Sequence, residues 1–266
     1  KANKINHNLA QVAAEFGMGM GLGSCNILLK DEKHLPDFDL RKIIGPELPF
    51  YANMGIAQIE QLIKTNRVQE ISDLIKLLKA DGLIIHVNPV QEWLQPEGDV
   101  ISTPPIETIE AFINQVDYNI IVKEVGQGMG KQSLKRLLRL PLAAIEFAAF
   151  GGTNFARVEL MRNKDADPAL LDPLSYIGQT ADEMTQTINS ILSEEATLKT
   201  NRLIISGGVK TFLDGYYLIN KSQLPAVYGM ASTFLKYAKE DYQQLKTFTQ
   251  SHIEGLKMAN AFLTVL

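Results

Sequence analysis

Gly82-Leu83-Ile84-Ile85-His86-Val87-Asn88-Pro89-Val90-Gln91-Glu92 is the stretch that decides the fold. Leu83, Ile84 and Ile85 are consecutive apolar residues, so a strand built from them is apolar on both faces. A parallel sheet covered by helices requires such strands, and an antiparallel sheet with one wet face does not. Directly after the run come a His, an Asn, a Gln and a carboxylate within seven residues. In a barrel of βα units the reactive groups sit at the C-terminal ends of strands.

The pattern recurs in both directions. Strands are expected over Gly17–Gly23, Leu48–Asn53, Gly82–Asn88, Asn119–Val125, Ala143–Phe150, Arg202–Ser206 and Pro225–Met230, each a short apolar run closed by Gly, Asn or Ser. Between them lie amphipathic helices: Ile5, Leu9, Val12, Ala13 and Phe16 share one face, as do Ile71, Leu74, Ile75 and Leu78. Ile106, Ile109, Phe112, Ile113 and Val116 form another such face behind Pro104-Pro105, and Thr180 with Glu183 reads as a capping box.

Alternating strands and helices with no internal repeat or flexible linker predict one α/β domain over residues 1–266. A (β/α)8 TIM barrel takes about 250 residues and eight strands. Seven strands behind an initial helix therefore read as strands two to eight, with the first strand and N-terminal segment expected before Lys1. An open doubly wound sheet is the alternative, but no Gly-x-Gly-x-x-Gly turn follows the first strand.

Composition narrows the function classes. The chain has 45% hydrophobic and 21% charged residues, which excludes disordered and low-complexity classes. A net charge of −4 argues against sequence-independent nucleic-acid binding, so an anionic ligand needs a local site. One cysteine, Cys25, excludes an intramolecular disulfide framework and suits a reducing cytoplasm. No apolar run approaches the roughly 18 residues of a membrane span.

At the strand ends, His86 and Asn88 share one face by the period of two, with Gln91 and Glu92 expected in the loop above. One His at a strand end is commonly a satisfied structural residue, but four polar groups ending a buried strand would all have to be hydrogen-bonded to no purpose. Glu92 is a hard oxygen donor, and one carboxylate with substrate phosphates and water suffices for Mg²⁺. Lys123 closes Ile120-Ile121-Val122, where it either faces an anion such as a reduced flavin or pairs with Glu124 or Glu92. Gly151-Gly152-Thr153 and Gly207-Gly208 with Lys210 follow later strands, and Gly229-Met230-Ala231-Ser232 follows the last. Small residues there let backbone N–H groups approach a phosphate. Cys25 has no neighbouring His to activate it. His7, His34 and His252 are expected at the surface. The amphipathic stretch Tyr237–Leu266 either covers the barrel or meets another subunit.

These blocks together resemble the type 2, flavin-dependent isopentenyl-diphosphate delta-isomerases. The likeness spans nearly the whole chain and rests on Gly21-Leu22-Gly23-Ser24, Ala52-Asn53-Met54-Gly55, His86 to Glu92, Val122-Lys123-Glu124-Val125-Gly126, Gly151-Gly152-Thr153 and Ser206-Gly207-Gly208-Val209. It implies a barrel that binds FMN and Mg²⁺, is primed by NADPH and interconverts isopentenyl and dimethylallyl diphosphate in isoprenoid biosynthesis. It further implies a homo-oligomer, a tetramer or octamer. By resemblance Ser24, Asn53, Lys123, Thr153, Gly207, Gly208, Lys210, Ala231 and Ser232 would hold FMN. Ser24, Cys25, Asn26, His86, Asn88 and Gln91 would meet substrate, with Gln91 and His86 catalytic and Glu92 on the metal.

The chain departs from the pattern at Asn26, where the family carries Arg, and at Lys210, where many members have Arg and its bidentate fork. Thr211–Leu224 lacks the family's Ala-rich helix. Two other readings stay open: another FMN barrel oxidoreductase, although no His-Gly-x-Arg pattern follows Phe150, or a degenerate barrel kept for protein assembly.

Overall fold

The computed structural model describes residues 2–165 and 167–265, so Lys1, Ala166 and Leu266, which include both ends of the expected domain, lie outside the described residues. In chain order the elements are α1 (Ala2–Phe16), β1 (Met20–Gly21), α2 (Arg41–Ile44), β2 (Phe50–Gly55), α3 (Ile56–Lys64), α4 (Gln69–Leu78) and β3 (Gly82–His86). Then come α5 (Pro89–Leu94), α6 (Pro105–Ile113), β4 (Asn119–Lys123), α7 (Lys131–Leu138), β5 (Ala144–Glu146), α8 (Phe155–Arg162) and α9 (Pro168–Leu171). The chain continues through α10 (Ala181–Glu194), β6 (Leu203–Ser206), α11 (Phe212–Lys221), β7 (Ala226–Gly229), α12 (Ser232–Glu240) and α13 (Tyr242–Phe262).

All seven expected strands are present, and they pair in sequence order, every pair parallel. Several are shorter than expected. β5 stops at Glu146 because Ala148 takes a positive φ of 41°, and β3 stops at His86 because Asn88 has left the extended region. β2 instead runs two residues beyond Asn53. The Thr180–Glu183 capping box forms as expected. Thr211–Leu224, which lacks the family's Ala-rich pattern, still builds α11 behind a second capping box, Thr211 with Asp214.

The period of two divides the side chains. Leu83, Ile85, Ile120, Val122, Ile145, Leu203 and Ile205 point outward into the main core beneath the helices. Ile84, Ile121 and Ala144 point inward and pack with Tyr51 and Ile204 as a separate inner layer. Two such faces are the layering of a βα barrel. Among the described residues β7 and β1 do not pair, and Val227, in register with the inward-facing Ile204, is 62% exposed.

The helical layer joins the two ends of this sheet. Val12 on α1 packs with Ala238 on α12 and Leu245 on α13, and Asn8 Nδ2 donates to Ala238 O at 3.0 Å. The amphipathic C-terminal stretch thus covers the barrel. This placement corrects the expectation for His252, which is buried against Phe212, Tyr228 and Phe248 because its face of α13 meets α11 and β7.

At the N-terminal ends of the strands, Arg41 holds several segments at once. Its guanidinium donates to Lys79 O at 2.8 Å and to Gly45 O and Leu48 O at 3.0 Å, and it pairs with Asp81 at 2.8 Å. Asp81 in turn accepts from Phe50 N at 2.7 Å. Arg41→Ala should therefore lower unfolding free energy by about 3 kcal/mol, because three carbonyls and a carboxylate lose their donor. Arg41→Lys should recover less than half, since an ammonium cannot span the fork. Urea unfolding checks this, and an alanine variant within about 1 kcal/mol of wild type would contradict it.

Candidate functional site

One residue pair beyond the inner apolar layer, the inward face turns polar. Asn53, His86, Lys123, Glu146 and Ser206 each lie two residues after an inner-layer residue and so project into the same mouth. The ladder places His86 beside Lys123 and Lys123 beside Glu146. Asn53 Nδ2 donates to Leu22 O at 3.0 Å, which leaves its Oδ1 as an acceptor 2.7 Å from His86 Nδ1. His86 must then carry its proton on Nδ1 and present a lone pair at Nε2. Burial, helped by the charge of Lys123, holds its pKa down to about 4, so the ring is neutral.

Glu146 accepts from Ser206 Oγ at 3.0 Å. Burial raises its pKa, while the charge of Lys123 and the Ser206 bond oppose that rise. No carboxylate lies within ion-pair distance of Lys123 among the described residues. Neither expected partner is available. Glu124 Oε2 accepts from Gly126, Gln127 and Gly128 N–H groups at 2.6, 2.5 and 2.9 Å, which ties it into its own loop. Lys123 is therefore a half-buried cation facing the mouth.

A second cluster lies above β3. Pro89 at the first helical position starts α5, so Gln91 and Glu92 stand on a helix and not in the expected loop. Asn88 is buried and donates to Glu92 Oε1 at 2.9 Å and to Gln91 Oε1 at 3.3 Å, while its own Oδ1 is buried with no partner. Leu94 packs against Ala156 and Leu160, which seats α5 on α8. That contact brings Gln91 Nε2 within 3.4 Å of Glu159 Oε1, and Arg162 holds the other Glu159 oxygen at 2.5 Å. Among the described residues no group of three or more His, Cys, Asp or Glu could hold a metal alone. The oxygen donors Glu92 and Asn88 Oδ1 fit a hard cation shared with phosphate, not a zinc site.

The third element is a cavity of about 190 Å³ lined by Gly151, Gly152, Thr153, Gly208, Val209, Lys210 and Ser232. It gathers the loops after β5 and β6 and the first residue of α12, where unpaired helical N–H groups favour an anion. Gly207 serves this cavity indirectly: its φ is +86°, and a Cβ there would lie 2.2 Å from the Ala149 backbone. The two glycine loops can approach only without a side chain at that position. Ala231, the N-cap of α12, adjoins the cavity at Ser232.

Ser24 is exposed and Asn26 begins a short 3-10 turn, both after β1. Cys25 corrects the expected substrate set. Its side chain is fully buried in the outer core, its thiol donates to Gly23 O at 3.4 Å, and burial pushes its pKa up to about 11. Sequence reasoning missed Glu146 and Glu159. The alternation Ala144–Glu146 could have signalled the first. Nothing local signals the second, whose partner Gln91 is 68 residues away.

No family model matches the chain. Curated relatives do. An isopentenyl-diphosphate delta-isomerase of Rickettsia africae (strain ESF-5) is 33% identical over 97% of this chain and 72% of its own length. An enzyme of the same name from Ignicoccus hospitalis is 32% identical over 99% of this chain and 71% of its own length. Among solved structures, a mandelate oxidase variant carrying an FMN adduct superposes with a TM-score of 0.55 at 8% identity, over 94% of this chain and 68% of that one. A flavocytochrome b2 variant with sulfite bound gives 0.59 at 9% identity, over 96% and 59%. The structural likeness supports the α/β barrel fold, and the sequence likeness decides kinship: the chain belongs to the isopentenyl-diphosphate delta-isomerase family.

Proposed function

We propose that this chain interconverts isopentenyl and dimethylallyl diphosphate, adding a proton to the terminal alkene carbon and removing one from the carbon beyond the double bond. The observation that carries the reading is Lys123, a half-buried cation without an anionic partner at the centre of the mouth. An ammonium so placed favours an anion against it. A reduced flavin ring is such an anion, and the glycine-lined cavity with Thr153, Lys210 and Ser232 suits the phosphate of FMN. When bound and reduced, FMN would supply a proton-exchanging N5 and negative charge to stabilise a cationic transition state, with NADPH needed only for priming.

The chain's own residues supply position and charge. Asn88 fixes the Glu92 carboxylate by donating to it, and its unpartnered Oδ1 is a further oxygen for Mg²⁺ with the substrate diphosphate. Gln91 is neither a strong acid nor a strong base. Its amide is held by Glu159, so it orients the substrate. His86 stays neutral and offers Nε2 as an acceptor, its ring fixed by Asn53. A cationic transition state is poorly tolerated beside Lys123 alone, so the anion that Lys123 attracts would have to lie between them.

With FMN, dithionite and Mg²⁺, the full-length protein should interconvert the two diphosphates without net consumption of reduced flavin. Stoichiometric flavin oxidation, or no product, would defeat the reading. Lys123→Met should lower the rate by roughly 100-fold, and a Glu92→Gln variant at full rate would remove the metal assignment.

The depressed pKa of His86 also sets a pH window. The unfolded chain binds the proton first, so this contribution to stability is intact above pH ~6.5 and is lost as pH falls toward about 4. The loss should reach about 3 kcal/mol. Urea midpoints of wild type should therefore drop between pH 7 and pH 5 more steeply than those of His86→Gln, and parallel profiles would contradict the assignment.

A further inference from the structure

Between α5 and α6 the chain crosses from Glu92 to α3 with no buried residue from position 95 to position 107. Val100 at its crest is 87% exposed, and a cavity of about 230 Å³ lined by Ala57, Glu60, Gln61, Lys64, Asp99 and Val100 separates the segment from the helix beneath. Within it Ile101 packs, partly buried, against the main core, and polar anchors hold the rest. Glu60 on α3, only 4% exposed, accepts from Ser102 Oγ at 2.5 Å, Thr103 Oγ1 at 2.9 Å and Ser102 N at 3.2 Å, and is paired with Lys64. Burial works against its charge, but these bonds outweigh it and hold its pKa down to about 2.

At the other end the segment lies on Glu92. Asp99 N donates to Glu92 Oε2 at 2.8 Å, and Gln58, also on α3, donates to Asp99 Oδ2 at 2.5 Å. A Cβ at Gly98 would lie 1.9 Å from Glu92 O, so the segment reaches the carboxylate only through a residue without a side chain. Arg162, which holds Glu159, also donates to Glu97 Oε1 at 2.7 Å.

We propose that residues 97–103 form a strap that orients the Glu92 carboxylate, and that Glu60 is the positioning residue that anchors it. The proposal rests on reading Glu92 as the cation-side carboxylate of the isomerase site. Glu60 touches neither Glu92 nor the mouth; it fixes where Ser102 and Thr103 lie, and so where the Asp99 N–H points. Partners of this outer kind commonly change metal affinity by about 10–100-fold when removed.

The test uses the full-length FMN-loaded enzyme. Glu60→Gln loses the Ser102 N–H acceptor, and Gly98→Ala disturbs the opposite anchor. Both should raise the half-saturating Mg²⁺ concentration and the KM for isopentenyl diphosphate by roughly tenfold, while kcat at saturating Mg²⁺ and the flavin spectrum change less than about twofold. Calorimetric titration of Mg²⁺ onto the same proteins with inorganic pyrophosphate, which involves no turnover, should show the same weakening. Mg²⁺ affinities in both variants equal to wild type would overturn the strap, even if they melt earlier. Wild type that takes up no Mg²⁺ would overturn it too. Wild type that binds Mg²⁺ with pyrophosphate, variants that weaken it, and no isomerisation would support the strap while defeating the isomerase reading.

Discussion

The docking of α1 onto α12 and α13 is the contact on which the remaining architecture depends. Val12, Ala238 and Leu245 bury one another, Asn8 reaches Ala238 O, and Tyr242 Oη donates to Glu15 at 2.6 Å. Residues more than 200 positions apart in sequence are thereby held together. A parallel sheet alone fixes the neighbour of each strand but leaves its overall curl adjustable. Once the helical layer closes on itself, the sheet inside it must curve, and the C-terminal ends of its strands converge. Convergence makes one mouth out of polar residues that would otherwise sit along a broad sheet edge.

Within that mouth the energetics run against stability. Burying Glu146, Lys123 and His86 costs desolvation, and the depressed imidazole pKa of His86 and the raised carboxyl pKa of Glu146 show that cost directly. Elsewhere the chain compensates its buried charges: Arg41 has several carbonyl acceptors, Glu124 three backbone donors, and Glu60 its hydroxyls and Lys64. Lys123 and Asn88 Oδ1 lack such partners. Their clustering at the strand ends marks a candidate binding site. It also places cationic and small-residue features locally in a chain whose net charge is −4.

Much of this was legible from residue order. The seven strands were readable because runs such as Leu83-Ile84-Ile85 are apolar on both faces, and a strand end is where inward side chains become polar. The glycine pairs signalled loops able to approach a phosphate, whereas the requirement for a glycine at 207 comes from its contact with the Ala149 backbone. Strand lengths were less legible, since the left-handed turn at Ala148 ends β5 in a stretch whose composition would extend it. The burial of His252 is not legible locally, because its neighbours along the chain include charged residues and its partners Phe212 and Tyr228 lie in other elements.

By itself the sequence determined the parallel α/β class, the order of the strands and the positions at which chemistry could appear, because period, capping and turn residues act over a few positions. Kinship followed from the same local blocks, distributed along the chain. Only the tertiary structure decided which groups meet: that Lys123 pairs with neither Glu124 nor Glu92, that Cys25 turns into the core, that Gln91 rests on Glu159, and that Glu60 anchors the segment lying on Glu92. Those outcomes depend on competition among hydrogen-bond donors and acceptors far apart in sequence. That competition is settled only when the helices pack and water is excluded.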